Sequence, residues 1–257
     1  GKGTRMKSAT PKVLQRLGGK PLVQHVLETA QSLNASQIVI VTGHEADVVE
    51  MALSKMPTSM ATKVQTVRQM PQLGTGHCVQ QAAPLLADDE SMTLILSGVV
   101  PLTQALTLQS LIDTSAGEHL ALLTIAFDDP TGYGRIVRSA DGKQVVSIVE
   151  HKDASPDQRA IHECYSGIMV APTKRLKEWL TRLDNNNVAG EFYLTDIVKH
   201  GFDARVIFRV FSGFEGAHVW LSLCEETVCH VNQRLAWHKI FSNTVFSCFQ
   251  RFLPDIP

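Results

Sequence analysis

The apolar positions of the chain fall into alternating helix-like and strand-like runs. Leu22, Val23, Val26, Leu27, Ala30 and Leu33 recur at helical spacing and predict an amphipathic helix over Pro21–Leu33. Asn34-Ala35-Ser36 breaks it, and Gln37–Val41 then reads as a short buried strand of β-branched residues. Thr42-Gly43-His44 turns the chain into a second helix, Glu45–Ser54, and a strand over Lys63–Val67 follows. Gly74-Thr75-Gly76 opens a helix through His77–Leu86, with Thr75 as its expected N-cap. Thr93–Leu96 is the next buried strand and Gln104–Thr114 the next helix. This alternation points to a mainly parallel sheet with helices on both faces.

The second half changes character. Leu120–Phe127 is a strand, and Asp128–Gly134 is a dense turn. Arg135–Arg138 and Val145–Glu150 flank Asp141-Gly142, a hairpin signal. The charged stretch Lys152–Arg159 leads to a strand over Gly167–Ala171 and a helix over Lys174–Leu183. A loop at Asn185-Asn186-Asn187 precedes a last helix, Tyr193–His200. Phe241–Pro257 is rich in Phe and Cys but shows neither period, and no internal repeat or low-complexity segment is present.

Composition narrows the class. A chain of 257 residues with 44% hydrophobic and 19% charged residues can bury a full globular core. A net charge of −1 gives no electrostatic case for nucleic acid or an anionic membrane. The five cysteines include no C-x-x-C pair, and their odd number argues against a complete disulfide framework. No apolar run approaches the ~18 residues of a membrane span. The expected location is therefore the cytoplasm. The ten histidines form no H-x-x-x-H pattern with companion ligands, so zinc chemistry is unsupported.

Candidate chemistry begins at the N-terminus. Gly1-Lys2-Gly3-Thr4-Arg5-Met6, running on to Pro11-Lys12, gathers glycines, a hydroxyl and cations. Glycines allow close backbone approach, and exposed N–H groups with Arg and Lys charges suit phosphate oxygens. The spacing G-x-x-x-x-G-K-[S/T] is absent, so this is not a P-loop. By itself such a stretch also fits a basic terminal tail.

Its downstream company decides. The opening stretch with Pro11-Lys12 resembles the signature loop of sugar-phosphate nucleotidyltransferases. Gln69 with Gln72-Leu73-Gly74-Thr75-Gly76-His77, then Gly98 and Pro101-Leu102, follow in order. So do Asp129-Pro130-Thr131-Gly132-Tyr133-Gly134-Arg135-Ile136, Ile148-Val149-Glu150-His151-Lys152-Asp153 and Tyr193-Leu194-Thr195-Asp196. Together they resemble the uridylyltransferase domain of the bacterial bifunctional N-acetylglucosamine-1-phosphate uridylyltransferase/glucosamine-1-phosphate acetyltransferases. The likeness covers about residues 1–200 and continues at Val231-Asn232-Gln233-Arg234-Leu235.

The resemblance implies an α/β, Rossmann-like, doubly wound mixed sheet with an inserted β region. It implies magnesium-assisted transfer of UMP from UTP to N-acetylglucosamine 1-phosphate, releasing pyrophosphate and supplying peptidoglycan and lipopolysaccharide synthesis. Arg5 and Lys12 would act on the triphosphate, with Gly1, Ser97 and Gly98 near it. Gln69, Gly74 and Thr75 would bind uracil, and Gly134, Glu150, Tyr165 and Asn232 would face the sugar. Asn232 would also offer an oxygen to Mg²⁺. A homo-oligomer is compatible with the family. A helix entry capped by Thr75 and a salt-bridged surface Glu150 are the structural alternatives for those residues.

The sequence also departs from the family. Val99 stands where the family has the aspartate that holds the metal, and Tyr165 stands where it has a sugar-contacting asparagine. The family's first apolar strand, expected before Gly1, and its hexapeptide-repeat acetyltransferase domain are not among these residues. The expected organisation is a nucleotidyltransferase domain over 1–235 lacking its first strand, with a divergent tail over 236–257. The rival expectations are a truncated, non-catalytic remnant that binds nucleotide and a nucleotidyltransferase for another sugar phosphate.

Overall fold

The computed structural model of the chain describes residues 8, 10–56, 63–203 and 209–212. The expected tail, 236–257, lies outside them, as do Gly1, Arg5 and Asn232. A short turn, Lys12–Leu14, leads to the two-residue strands β1 (Arg16–Leu17) and β2 (Lys20–Pro21) and to helix α1 (Leu22–Ser32). Then come β3 (Gln37–Thr42), α2 (Ala46–Ser54), β4 (Lys63–Arg68), α3 (Thr75–Ala82), β5 (Met92–Ile95) and α4 (Ala105–Ser115). The second half holds β6 (Ala121–Ala126), the hairpin β7 (Arg135–Arg138) and β8 (Val145–Val149), and α5 (Pro156–Arg159). It ends with β9 (Glu163–Pro172), α6 (Thr173–Leu180), α7 (Ile197–Asp203) and β10 (Arg209–Ser212).

The main sheet is mixed rather than mainly parallel. β3 and β4 make a separate two-stranded parallel sheet, and in the six-stranded main sheet β10 runs parallel to β6. β9, however, is antiparallel to β5, β6 and β7, and β7 is antiparallel to β8. Alternating strands and helices suggest parallel crossovers, but the β7–β8 hairpin returns the chain before β9 enters the sheet. Strand direction is thus set by connection length, which hydrophobic periodicity does not carry.

The long strand β9 separates two cores because successive side chains face opposite sides of a sheet. Met169 and Ala171 pack with Leu120, Leu122 and the apolar faces of α6 and α7, where Leu176, Trp179, Leu180, Ile197 and Val198 are buried. Ile168 and Val170 pack on the other face with Ala121, Leu123 and the α4 residues Leu108 and Leu111. Helices therefore cover both faces, as the sequence pattern predicts. A third cluster, Val23, Val49 and Leu53, packs around β3.

Several boundaries shift. The helix expected from His77 to Leu86 ends at Ala82 and passes into a 3₁₀ turn, Ala83–Leu85, at Pro84. The expected helix Tyr193–His200 is a 3₁₀ turn, Leu194–Asp196, followed by α7. The charged stretch contains α5, held by a capping box between Ser155 and Gln158. β9 starts at Glu163, four residues before the expected Gly167, because Arg138 pairs with both oxygens of Glu163 at 2.7 and 2.8 Å.

Candidate active site

The ends of β4 and β5 carry the first group of expected site residues. Gln69 follows β4 directly; its backbone N–H donates to Thr42 O at 2.7 Å, closing the β3–β4 pair. Its side chain is buried, and Nε2 donates to Gly74 O at 2.8 Å and lies 3.1 Å from His77 Nδ1. After β5, Ser97 to Val100 form a tight turn closed by Val100 N–H donating to Ser97 O at 3.1 Å. A Cβ on Gly98 would lie 3.4 Å from Val13 Cγ1, so the turn that begins at Lys12 packs directly on this loop. Loops beyond the carboxyl ends of strands are where open α/β sheets place ligand chemistry.

The second group sits on the β7–β8 hairpin and β9. Tyr165 N–H donates to Gly134 O at 2.9 Å, and a Cβ on Gly134 would stand 3.6 Å from Glu150 Oε1. Gly134, Glu150 and Tyr165, chosen as sugar-facing residues, are thus neighbours. A register shift in β6–β9 between Leu122 and Thr124, with Ser166 Oγ donating to Leu123 O at 2.7 Å, sets the angle at which Tyr165 leaves the sheet. The Tyr165 ring is half-buried, but its hydroxyl is enclosed and has no hydrogen-bond partner among the described residues.

Electrostatically this side is acidic. Burial pushes the Glu150 carboxyl above the usual range, against a hydrogen bond from Thr195, and the carboxylates of Asp196, Asp153 and Glu191 raise it further. Glu150 Oε1 accepts from Thr195 Oγ1 at 3.1 Å. Glu150 is thus a half-buried carboxyl with no ion pair among the described residues, rather than a salt-bridged surface residue. Burial, with Asp153 next, pushes the Tyr193 phenol up to about 12, and its hydroxyl donates to Asp153 Oδ2 at 3.2 Å. The Tyr165 phenol is also raised, by burial first and by Glu150 second.

One segment joins the two groups. Phe192 N–H donates to Leu73 O at 2.8 Å, and Gly76 N–H donates to Phe192 O at 2.7 Å. Leu194 N–H donates to Thr75 Oγ1 at 3.0 Å, and the next residue, Thr195, reaches Glu150. Thr75 is therefore not the N-cap: Gly74 holds that position with no side-chain cap, and the Thr75 hydroxyl serves the Phe192–Thr195 segment instead. The segment also explains both glycines. A Cβ on Gly74, at φ 115°, would stand 2.5 Å from Phe192 O, and one on Gly76 would stand 3.0 Å from Phe192 O and 2.5 Å from Leu183 Cδ1 outside the segment. The sequence marks Tyr193–Asp196 as a motif but assigns no role to Phe192 or Thr195. The single available signal was the motif's place after the other five.

Of the two positions the resemblance assigns to the metal, only Val99 lies among the described residues. Mg²⁺ takes hard oxygen donors, and Val99 offers none. Among the described residues no group of three or more His, Cys, Asp and Glu side chains is arranged to hold a metal ion. At Val99 the described residues lack the carboxylate that the resemblance assigns to Mg²⁺, and Asn232 lies outside the described residues. No described helix is long and apolar enough to cross a membrane.

Fold and motif order together define a nucleotidyltransferase domain. Residues 1–183 match the MobA-like NTP transferase domain, and the chain belongs to that family. More particularly, it is 59% identical over 202 residues to the Bifunctional protein GlmU of Polaromonas naphthalenivorans, covering 77% of this chain and 42% of that protein. It is 59% identical over 199 residues to the Bifunctional protein GlmU of Acidovorax ebreus, covering 77% of this chain and 41% of the relative. The chain thus spans less than half the length of these relatives. A UDP-glucose pyrophosphorylase complexed with UDP-glucose has the same fold, with a TM-score of 0.68 at 18% identity over 93% of this chain and 96% of that one. The UDP-glucose pyrophosphorylase from Acinetobacter baumanii gives a TM-score of 0.65 at 17% identity over 98% and 94%.

Proposed function

We propose that this chain is a uridylyltransferase domain that transfers UMP from UTP to N-acetylglucosamine 1-phosphate, forming UDP-N-acetylglucosamine and pyrophosphate. The observation that carries the reading is the Phe192–Thr195 segment, which holds the Gly74–Gly76 loop on one side and Glu150 on the other. A nucleotide site and a sugar site built separately would need no such tie. The identity with the GlmU relatives and the pyrophosphorylase fold support the same reading.

The chemistry needs two anions brought together and their charge offset. A phosphate oxygen of the sugar phosphate attacks the α-phosphorus of UTP; that P–O bond forms as the bond to the β-phosphate oxygen breaks, and pyrophosphate leaves. No residue forms a covalent intermediate. Lys12 offsets triphosphate charge beside the Ser97–Gly98 turn, the resemblance gives Arg5 the same role, and Gln69 meets the base. The acidic surroundings of Glu150 repel phosphate and accept hydrogen bonds from sugar hydroxyls. The sugar ring therefore lies toward Glu150, with its phosphate toward Lys12. Mg²⁺ is the cofactor that the family resemblance implies, and Val99 is the reason turnover is expected to be slow. The same residue favours a second reading, a domain that binds nucleotide without turnover.

Calorimetric titration with UTP tests the nucleotide half. Lys12→Ala is expected to weaken binding about tenfold, the loss of one charged hydrogen bond. Lys63→Ala is expected to leave it unchanged, because Lys63 opens β4 at the end opposite Gln69. Equal losses, or no binding by the parent, would reject the assignment.

A further inference from the structure

We propose that Arg135 is a positioning residue: by bridging the residue before Gly134 to the residue after Glu150, it holds those two at the separation that receives the sugar. The proposal rests on the sugar-phosphate reading above and adds what fixes the geometry of that half. Arg135 is 1% exposed and opens β7, where it pairs with Val149 of β8 and with Cys164 of β9. Cys164 belongs to a buried cluster with Ile125 and Phe127. The guanidinium reaches three segments from there. Nη1 donates to Tyr133 O, and Nη2 lies 3.3 Å from His151 Nδ1 and 3.5 Å from Arg159 O at the end of α5. A guanidinium only donates, so His151 Nδ1 is the acceptor of its pair.

Stability alone would not select this arrangement. No carboxylate lies within ion-pair distance of the guanidinium among the described residues, and Nε is enclosed without a hydrogen-bond partner there. A buried charge with no counter-charge opposes folding, and an apolar side chain of similar length would avoid that penalty. What the arginine supplies is a fixed gap. Tyr133 and His151 flank Gly134 and Glu150, and a Cβ on Gly134 would stand 3.6 Å from Glu150 Oε1. The turn leading into Gly134 has an unpacked tip: Thr131 and Gly132 are exposed, and a Cβ on Gly132 would meet nothing within 4 Å. Its position over Glu150 therefore depends on anchors at its base. One is Tyr133 O on the guanidinium, and another is the Tyr133 ring, stacked on Phe127 at a centroid separation of 4.6 Å. Without the bridge the two sides of the sugar site loosen, and ordering them again on binding lowers affinity.

The experiment titrates the full chain with UDP and with UDP-N-acetylglucosamine, which differ only in the sugar, for the parent, Arg135→Met and Arg135→Lys. The melting temperature of each is recorded alongside. Arg135→Met is expected to weaken UDP-N-acetylglucosamine about tenfold, to leave UDP within about twofold, and to melt no lower than the parent. Arg135→Lys keeps the charge, but its single ammonium cannot span Tyr133 O and His151 together, so it is expected to lose as much. Equal losses of both ligands with a lower melting temperature would mean that Arg135 serves the fold alone, which overturns the proposal. So would an Arg135→Lys chain that keeps the parent's affinity for UDP-N-acetylglucosamine. A parent that binds the sugar nucleotide, with Arg135→Met unchanged, overturns this proposal alone; a parent that binds neither ligand overturns the nucleotide reading with it. Should Arg135→Met fail to fold, His151→Leu removes one end of the bridge. It is expected to weaken UDP-N-acetylglucosamine about threefold with UDP unchanged, and an unchanged affinity for both rejects the bridge.

Discussion

Glu150 shows what one residue can report. Its carboxyl is half-buried, and that burial raises its pKa in the folded chain. The folded state therefore holds a proton that the unfolded chain releases near pH 4. That difference contributes stability which is full below the unfolded value and is lost as pH rises through the folded one. Glu150→Gln keeps an acceptor for Thr195 and removes the ionisation. Its melting temperature is expected to match the parent's near pH 4, to exceed it as pH rises above the unfolded value, and to hold a constant lead once pH has passed the folded one. Sugar-phosphate affinity is expected to fall in the same variant. Melting curves from pH 4 to pH 8 check the first point; a difference that stays constant across the whole range would mean that Glu150 is solvated. Single residues such as Gln69, Gly134, Glu150 and Tyr165 are legible in the sequence because each sits in a local motif. Their meeting is not. Thr195 reaches Glu150 across 45 residues, and Leu194 reaches Thr75 across 119, distances that no spacing rule covers.

At the scale of elements, amphipathic helices and apolar strands were readable because their periodicity is local. α1, α2, β3 and β4 lie within about a residue of the expected bounds. The failures have physical causes. The first residues of β9 are polar and join the sheet through the Arg138–Glu163 pair, and the sequence of α3 cannot show that Thr75 is bonded elsewhere. The Gly74–Gly76 loop is the element whose packing is most exacting. Gly74→Ala meets both a backbone clash at 2.5 Å and a φ of 115°. It is expected to cost about 3 kcal/mol or more, as strain and overpacking together. Gly132→Ala, at φ 88° with nothing within 4 Å, is expected to cost about 1–2 kcal/mol. Urea unfolding of the two variants tests the difference. Equal losses would mean that the Phe192–Thr195 segment yields easily.

For the whole molecule, the proposed nucleotide and sugar subsites lie on two sheets, at the end of β4 and on the β7–β8 hairpin with β9, joined by one segment, with a valine where the family resemblance puts the metal carboxylate. Val99 follows β5 in the loop that packs on the Lys12 turn, so an oxygen donor introduced there would lie in the loop beside the proposed triphosphate side. A well-held divalent ion supplies several kcal/mol of transition-state charge stabilisation, and each ~1.4 kcal/mol is about tenfold in rate. The decisive measurement is pyrophosphate release from UTP and N-acetylglucosamine 1-phosphate by the parent and Val99→Asp, with and without Mg²⁺. The account predicts slow release by the parent and a magnesium-dependent gain of roughly a hundredfold or more in Val99→Asp. A Val99→Asp chain that folds, binds UTP and shows no magnesium-dependent gain would contradict it.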